Sequence, residues 1–361
     1  MSGNIPSSPV YGVFVSQLIR YVRACSKYKD FIVNAKLLAK IIFIILVVTF
    51  ILVILRDLRN VEIEESASKL CTNSAVYNPP VACLKYQGRL GNLLFMYAFH
   101  YVYSIQKDVE MVKIGQFDLD SVFILEQGKF VTDSQYDTTF CDCLPIIEDR
   151  YDCGFDINIA SITKGRSVSF LGFFQSWRYW IDYEHKIRGL FTFRSEIRKS
   201  ARRQFKGMLG RRGWSVESDI FVGMHIRRGD YANKFLIDFG QKTAPLSYIK
   251  NAMTLMNKLF KNVRYVVLSD DIGWCKHNIK TRKRDIFYVE DNTAAVDMAM
   301  MTLTNHSIIT AGTFGWWAAF LTNGTTIFYK DLFTRNTRYA EQFPNQETRD
   351  FFPPLWIGLD R

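Results

Sequence analysis

Short apolar runs alternate with helical patterns through the second half of the chain, and this alternation constrains the fold more than any other feature. The runs have the length of buried strands and lie at Ile220–Met224, Tyr265–Leu268, Ile286–Val289, Ser307–Ala311 and Thr326–Tyr329. Helices are predicted among them at residues 293–304 and 316–321. Because strands that alternate with helices form parallel crossovers, the sequence predicts a doubly wound α/β fold.

A strand, a glycine turn and a helix are also predicted earlier in the chain. Val81–Leu84 precede Gly88-Arg89-Leu90-Gly91-Asn92, and residues 93–105 are apolar enough to form a buried helix. Asn92 is predicted to cap this helix, whose free N–H groups attract ligand oxygens. A turn without a ligand is an equally good interpretation.

The first apolar run of the second half ends in an unusual cluster of charged residues. His225-Ile226-Arg227-Arg228-Gly229-Asp230-Tyr231 places two guanidiniums, an imidazole and a carboxylate at one strand end. Ligands of open α/β sheets bind beyond the carboxyl ends of strands, and arginine forks suit phosphates as well as carboxylates. We therefore predict an anion site, although a strand-end salt bridge is the alternative. Of the net charge of +11, the six bases and one acid through Lys40 supply +5, which leaves +6 for the rest of the chain. This moderate excess suits an anionic ligand better than bulk nucleic acid.

Two further features favour a nucleotide. Gly312-Thr313-Phe314-Gly315 is predicted to lead into a helix, where its N–H groups and hydroxyl would cradle a pyrophosphate. Asp297 lies in the preceding predicted helix, where Asn292 is the expected cap. Its carboxylate is suited to the N1–H and amino donors of guanine, or it is an ordinary surface carboxylate.

An apolar segment near the N-terminus predicts a membrane span. Residues 41–55 are apolar except Thr49, and an extension to Leu37 gives about 19 residues, enough to cross a bilayer. Six bases and one acid through Lys40 place the preceding segment in the cytosol by the positive-inside rule. A buried core helix is the alternative. The expected organisation is a cytosolic tail (1–36), a transmembrane signal anchor (37–56), a stem (57–82) and two luminal α/β domains (83–215 and 216–361).

Cysteines and sequons agree with a luminal location for the main portion. Six of the seven cysteines follow the predicted span and allow up to three disulfides. They are Cys71, Cys83, Cys141, Cys143, Cys153 and Cys275. Disulfides or buried thiols are favoured over zinc, because no nearby histidine completes a tetrahedral set. Asn305 and Asn323 open glycosylation sequons.

Taken together, these motifs resemble the α-1,2-fucosyltransferases of glycosyltransferase family 11. The resemblance covers residues 83–330 and rests on the two glycine turns, the 225–231 cluster, and Ser269-Asp270-Asp271 with Trp274. It implies a Golgi type II membrane glycoprotein with a GT-B-like pair of Rossmann-type domains, the first on the acceptor side and the second binding GDP-fucose. Such enzymes transfer fucose from GDP-fucose to the 2-OH of a terminal galactose on a glycan, with inversion and without a metal or other cofactor.

The resemblance also implies roles for individual residues. Arg227 and Arg228 would stabilise the departing GDP, with Arg227 the better candidate for the β-phosphate and with His225 and Asp230 orienting them. Backbone at Thr313, Phe314 and Gly315 would hold phosphate oxygens, and Asp297 would read guanine. Further candidates for donor contacts are Asn92, Ser269, Asp270 and Asp271. The catalytic base is left open among Asp230, Asp270, Asp271 and several acids of the first domain.

Two departures from the family pattern bear on function. Leu93 and Met96 stand where the family commonly has glutamine, which puts the identity of the acceptor in question. They also keep open the alternative of a catalytically inactive glycan-binding or escort relative.

Two short motifs suggest other functions. Asp118-Leu119-Asp120 matches a metal-binding pattern of sugar transferases but lies far from the donor motifs, so we expect no metal site. Arg228-Gly229-Asp230 matches an adhesion tripeptide but follows a buried-type strand, which favours the lip of a site over a protruding loop.

Overall fold

The computed structural model describes residues 47–48, 78–115, 118–125, 130–132, 138–229, 233–281 and 284–361. The two sheets that the described residues form belong to one compact unit, residues 74–361. The predicted tail, the predicted span apart from residues 47–48, and the stem as far as residue 77 lie outside the described residues. Within those residues, no helix has both the length and the hydropathy needed to cross a membrane.

In the described part of the chain, five parallel strands form the first sheet, in the order β3-β2-β1-β5-β4. The strands are β1 (Val81–Tyr86), β2 (Glu110–Gly115), β3 (Phe130–Thr132), β4 (Ile146–Glu148) and β5 (Val168–Leu171). The accompanying helices are α1 (Leu90–Lys107), α2 (Leu119–Val122) and α3 (Ile157–Ala160). The central strand β1 has four consecutive buried residues, as a parallel strand covered on both faces requires.

Six parallel strands of the described region form the second sheet, in the order β11-β10-β9-β6-β7-β8. They are β6 (Ile220–Ile226), β7 (Val263–Ser269), β8 (Ile286–Tyr288), β9 (His306–Ile309), β10 (Thr326–Tyr329) and β11 (Ile357–Leu359). Each of the predicted runs in this half forms a strand with ends within two residues of the prediction. The predicted parallel α/β fold is therefore confirmed.

Seven further helices follow the first sheet in the described sequence. They are α4 (Glu184–Leu190), α5 (Ser195–Arg212), α6 (Lys234–Phe239), α7 (Leu246–Leu259), α8 (Ile272–Asn278), α9 (Ala294–Met301) and α10 (Thr313–Thr322). Short 3₁₀ segments lie at Thr138–Cys143, Trp177–Tyr179, Ile181–Tyr183, Ala340–Gln342 and Pro344–Gln346. α5 buries Ala201, Phe205 and Met208 and leaves most of its basic residues exposed, as its amphipathic pattern indicates.

The predicted helix caps are wrong in two places. α1 begins at Leu90, so Asn92 lies inside its first turn and Arg89 occupies the N-cap position. α9 begins at Ala294 and is capped by the hydroxyl of Thr293, not by Asn292. Both asparagine side chains bond elsewhere, because tertiary contacts offer them partners that the local sequence does not reveal.

Buried aromatic residues join α1 to α10. The ring centroid of Phe95 lies 4.6 Å from that of Trp316 and 5.1 Å from that of Trp317. Trp180 lies 5.6 Å from Trp317, and all four side chains are fully buried. Because aromatic side chains each bury a large apolar area, this contact fixes the start of one helix relative to the start of the other.

The described cysteines are disulfide-bonded or buried thiols, as the sequence predicts, and Cys71 lies outside the described residues. Cys83 of β1 forms a disulfide with Cys141, and Cys143 is also disulfide-bonded. Cys153 and Cys275 are buried thiols. Among the described residues, no group of three or more histidine, cysteine or acidic side chains is placed to hold a metal.

Candidate active site

A cavity of about 970 Å³ lies at the carboxyl ends of strands from both sheets. The first sheet contributes the turn after β1 and the segments after β2, β4 and β5. The second contributes the segments that follow β6, β7, β8, β9 and β10. Ligands of parallel α/β sheets bind at this end, because helix N-termini and loop N–H groups converge there.

Arg227 lies just past the end of β6 and lines this cavity. Its Nη1 donates to Oδ2 of Asp270 at 3.0 Å, and its backbone N–H donates to the hydroxyl of Thr310 at 2.8 Å. The Arg227 side chain is only 15% exposed. The bond to Thr310 fixes the main chain, and the contact with Asp270 orients the guanidinium, whose charge acts more strongly on a bound anion there than it would in bulk water.

Arg228 does not line the cavity. Its guanidinium carbon lies 3.7 Å from the ring centroid of Trp274, and its Nε is 3.8 Å from Oδ2 of Asp271. Its backbone N–H donates to Oδ1 of Asp270 at 2.8 Å. Successive side chains of an extended segment point to opposite sides, so one arginine faces the cavity while the other holds the strand end against α8.

His225 is buried beside the first turn of α10. Its ring centroid lies 4.9 Å from that of Phe314, and a Cβ on Gly315 would come within 2.6 Å of its Nδ1. Burial lowers the pKa of His225 to about 4, although nearby Asp270 opposes the shift, so the ring is neutral at neutral pH. Its Nδ1 has no hydrogen-bond partner among the described residues. This atom is enclosed against Gly315, so His225 helps to shape this end of the cavity.

The two glycine motifs meet at the cavity although 221 residues separate them. The hydroxyl of Thr313 donates to Oδ1 of Asn92 at 2.7 Å. A Cβ on Gly91 would lie 2.5 Å from the backbone nitrogen of Phe314, so only glycine fits at this crossing. Gly312, with φ of 84°, is the N-cap of α10, and Thr313–Gly315 form its first turn. The N-termini of α1 and α10 therefore lie together, an arrangement that favours an anionic ligand.

Asp297 lies in the first turn of α9 and lines the same cavity. Its Oδ1 accepts a hydrogen bond from Nδ2 of Asn292 at 3.1 Å. Burial raises the pKa of Asp297 to about 6, and the hydrogen bond from Asn292 opposes this shift. A half-buried carboxylate that faces the cavity is placed to accept N–H groups from a ligand.

The remaining predicted residues fall in three places. Ser269 lines the cavity, and its hydroxyl donates to the carbonyl of Ile226 at 2.7 Å. Asp271 caps α8 by accepting from Trp274 N at 3.0 Å. Asp230 lies outside the described residues.

The acidic pair of the Asp118-Leu119-Asp120 motif is divided by the structure. Asp118 lines the cavity. Asp120 faces Lys113 instead, with 3.9 Å between its Oδ2 and the lysine Nζ. Neither belongs to a metal-binding group within the described residues.

Sequence reasoning missed several residues of the cavity region. Asp152, Gln175 and Gln342 line the cavity, and Thr310 supports Arg227 from the end of β9. Asp152 follows β4, a strand of three residues that is too short to give a periodic signal. Thr310 lies near the carboxyl end of the predicted strand Ser307–Ala311. That position could have identified it as a candidate, because ligands bind beyond the carboxyl ends of parallel strands.

Comparisons with known proteins agree with the fold and the motifs. Galactoside alpha-(1,2)-fucosyltransferase 1 of Bos taurus is 31% identical over 192 residues, which are 52% of this chain and 52% of the relative. Galactoside alpha-(1,2)-fucosyltransferase 2 of Gorilla gorilla gorilla is 30% identical over 198 residues, 54% of this chain and 56% of the relative. The chain thus spans about half the length of the curated relatives it matches.

Structural similarity extends further along the chain. The structure of a mutant of Arabidopsis thaliana FUT1 in complex with GDP superposes with a TM-score of 0.53 and 14% identity. It covers 81% of this chain and 79% of that one, which supports a GT-B-like α/β fold. The profile of glycosyl transferase family 11 matches residues 155–360, more than half of the chain. The chain therefore belongs to glycosyl transferase family 11.

Proposed function

We propose that this protein is a galactoside α-1,2-fucosyltransferase, which transfers fucose from GDP-fucose to the 2-OH of a terminal galactose with inversion. The observation that carries the proposal is the placement of Arg227. Its guanidinium, held by Asp270 at 3.0 Å, shares one cavity with the paired N-termini of α1 and α10. Named relatives with this activity support the same conclusion.

The reaction places negative charge on the leaving group. As the bond between C1 of fucose and the β-phosphate oxygen breaks, the sugar becomes oxocarbenium-like and GDP departs with the electron pair. A guanidinium fixed at the β-phosphate stabilises this transition state more than the ground state. N–H groups at the first turn of α10 are suited to the other phosphate oxygens, and Asp297 is suited to guanine.

No metal is required in this proposal. Arg227 and two helix N-termini supply the positive potential that a divalent cation supplies in other sugar transferases. His225, neutral because burial lowers its pKa, contributes polarity without charge.

We also propose a Golgi location with a single membrane span and a luminal catalytic portion. The apolar stretch at 37–56 and its basic N-terminal flank support this topology. The Cys83–Cys141 disulfide is of a type that persists in oxidising compartments. Asn305 and Asn323, the sequon asparagines, are both exposed.

The test uses the full-length protein with GDP-fucose and a panel of β-galactosides. Arg227→Lys is expected to lower turnover on the order of 10²-fold or more, because lysine cannot reproduce the arginine fork. Arg202→Lys makes the same exchange on the exposed face of α5 and serves as the control.

Three outcomes are informative. Near-normal turnover of Arg227→Lys would disprove the role of this residue. Failure of the wild type both to bind GDP and to transfer fucose would refute the proposal. Donor binding without transfer across the panel would favour an inactive glycan-binding or escort protein.

A further inference from the structure

Among the residues that the structure describes, four carboxylates line the active-site cavity: Asp118, Asp152, Asp270 and Asp297. Two of them have fixed protein partners. Asp270 accepts from the Arg227 guanidinium and the Arg228 N–H, and Asp297 accepts from Asn292. These contacts serve the donor side of the site, so the acceptor hydroxyl must be received elsewhere.

Asp152 is the half-buried carboxylate on the side of the cavity built by the first sheet. It lies in the loop after β4, and its carbonyl accepts from Gln175 N at 3.0 Å. The next residue, Cys153, donates its N–H to the Gln342 carbonyl at 3.0 Å. The main chain is thus fixed on both sides, whereas the Asp152 carboxylate has no hydrogen-bond or ion-pair partner among the described residues.

The carboxylate of the neighbouring Asp149 accepts hydrogen bonds from the backbone. Its Oδ2 accepts from Phe174 N at 2.6 Å and its Oδ1 accepts from Tyr151 N at 3.4 Å. Phe174 has a φ of 53°, so this carboxylate holds the loop after β5 in a left-handed turn. Asp149 therefore fixes the loop that carries Gln175, and it does not itself line the cavity.

The side chains around Asp152 suit a sugar. Gln175 and Gln342 line the cavity with amide groups that both donate and accept hydrogen bonds. Phe173 and Tyr339 line it with aromatic rings. Apolar surface with a few placed polar groups is the composition of small-molecule sites. We therefore expect Asp152, Gln175 and Gln342 to face the acceptor sugar.

Burial raises the pKa of Asp152. A base is most effective when its pKa approaches the working pH, because it is then both ionised and able to take a proton. Asp118, the other carboxylate of the cavity that belongs to the first-sheet side, is exposed.

We propose that Asp152 is the catalytic base, accepting a hydrogen bond from the attacking galactose hydroxyl and then its proton. This inference rests on the proposed function. The acceptor oxygen forms a bond to C1 of fucose while the bond between C1 and the phosphate oxygen breaks. The electron pair of the broken bond leaves with GDP. The hydroxyl proton passes to a carboxylate oxygen of Asp152, which returns it to solvent after the products leave.

The experiment compares full-length Asp152→Asn with wild type, because asparagine keeps the shape and removes the basic oxygen. Transfer to the best galactoside is expected to fall on the order of 10²–10⁴-fold. GDP affinity, measured by calorimetry, is expected to stay within about twofold. Asp182→Asn, at an exposed position outside the cavity, is the matched control.

Each result has one meaning. Near-normal transfer by Asp152→Asn beside an active wild type would overturn this assignment and leave the proposed function intact. Loss of GDP affinity together with transfer would place Asp152 in the structural framework and also overturn it. A large loss in Asp118→Asn but not in Asp152→Asn would transfer the role to Asp118. A wild type that neither binds GDP nor transfers would refute the proposed function itself.

Discussion

Alanine at position 91 is expected to force apart two backbone segments that form one wall of the active site. A Cβ on Gly91 would lie 2.5 Å from Phe314 N and 2.6 Å from the carbonyl carbon of Thr313. Favourable separations between carbon atoms are about 3.5–4.0 Å. Both neighbours are backbone atoms, so no side-chain rotation relieves the clash and α1 or α10 must move.

Movement of either helix is costly because their aromatic contact is tightly packed. Overpacking of this kind costs about 1–3 kcal/mol, whereas alanine in a helix gains up to about 1 kcal/mol over glycine. We expect Gly91→Ala to lower the free energy of unfolding by about 1–2 kcal/mol. At about 2–4 °C per kcal/mol for a unit of this size, the melting temperature should fall by about 2–8 °C.

Gly210→Ala is the matched control. It makes the same exchange inside α5, where a Cβ would meet no atom within 4 Å. Without a clash, the only expected change is an increase in the free energy of unfolding of about 0.5–1 kcal/mol, because alanine favours the helix over glycine. The two variants should therefore differ by about 1.5–3 kcal/mol in unfolding free energy.

Thermal unfolding followed by circular dichroism measures the change in stability. Calorimetric titration with GDP measures a second effect, on ligand binding. Separation of the helices would also disrupt the hydrogen bond from Thr313 to Asn92, so the Kd for GDP should rise on the order of tenfold, a cost of about 1.4 kcal/mol. If Gly91→Ala melted and bound GDP like Gly210→Ala, the close crossing of the two turns would be refuted.

Three further predictions concern separate features. GDP affinity should weaken as the pH falls through about 6, because Asp297 becomes protonated there and no longer accepts guanine N–H groups. Calorimetry across pH 5–8 should show that this loss of affinity is absent in Asp297→Asn. An identical pH dependence in both proteins would contradict the guanine contact, since titration of the GDP phosphate is common to both. Cys141→Ala should lower the free energy of unfolding by about 2–4 kcal/mol, because the bond to Cys83 closes a loop across 58 residues of sequence; an unchanged melting temperature would argue against this contribution. Transfer should survive a strong chelator, whereas loss that Mn²⁺ restores would revive a metal site at Asp118 and Asp120.

The strands of the second sheet could be predicted because their residues carry a local signal. Ile220–Met224 and Tyr265–Leu268 are continuous apolar runs, which is the pattern of strands buried on both faces. Polar residues at their ends, among them His225, Arg227 and Asp270, also line the cavity, because parallel strands bring their carboxyl ends to one edge. The first sheet gave a weaker signal, since β3 and β4 have three residues each.

The sequence by itself determined the parallel α/β fold and the family motifs, because strand periodicity and strand-end chemistry are local properties of the chain. The family resemblance favoured Arg227 over Arg228 for the β-phosphate, but the physical reason for the difference lies in the fold. Trp274 and Asp271 contact the guanidinium of Arg228, whereas Asp270 orients that of Arg227. The pairing of Asn92 with Thr313 and the partner-free carboxylate of Asp152 were likewise decided only in the folded protein. These features depend on contacts between segments far apart in sequence, and such contacts exist only once both sheets and the helices between them have packed together.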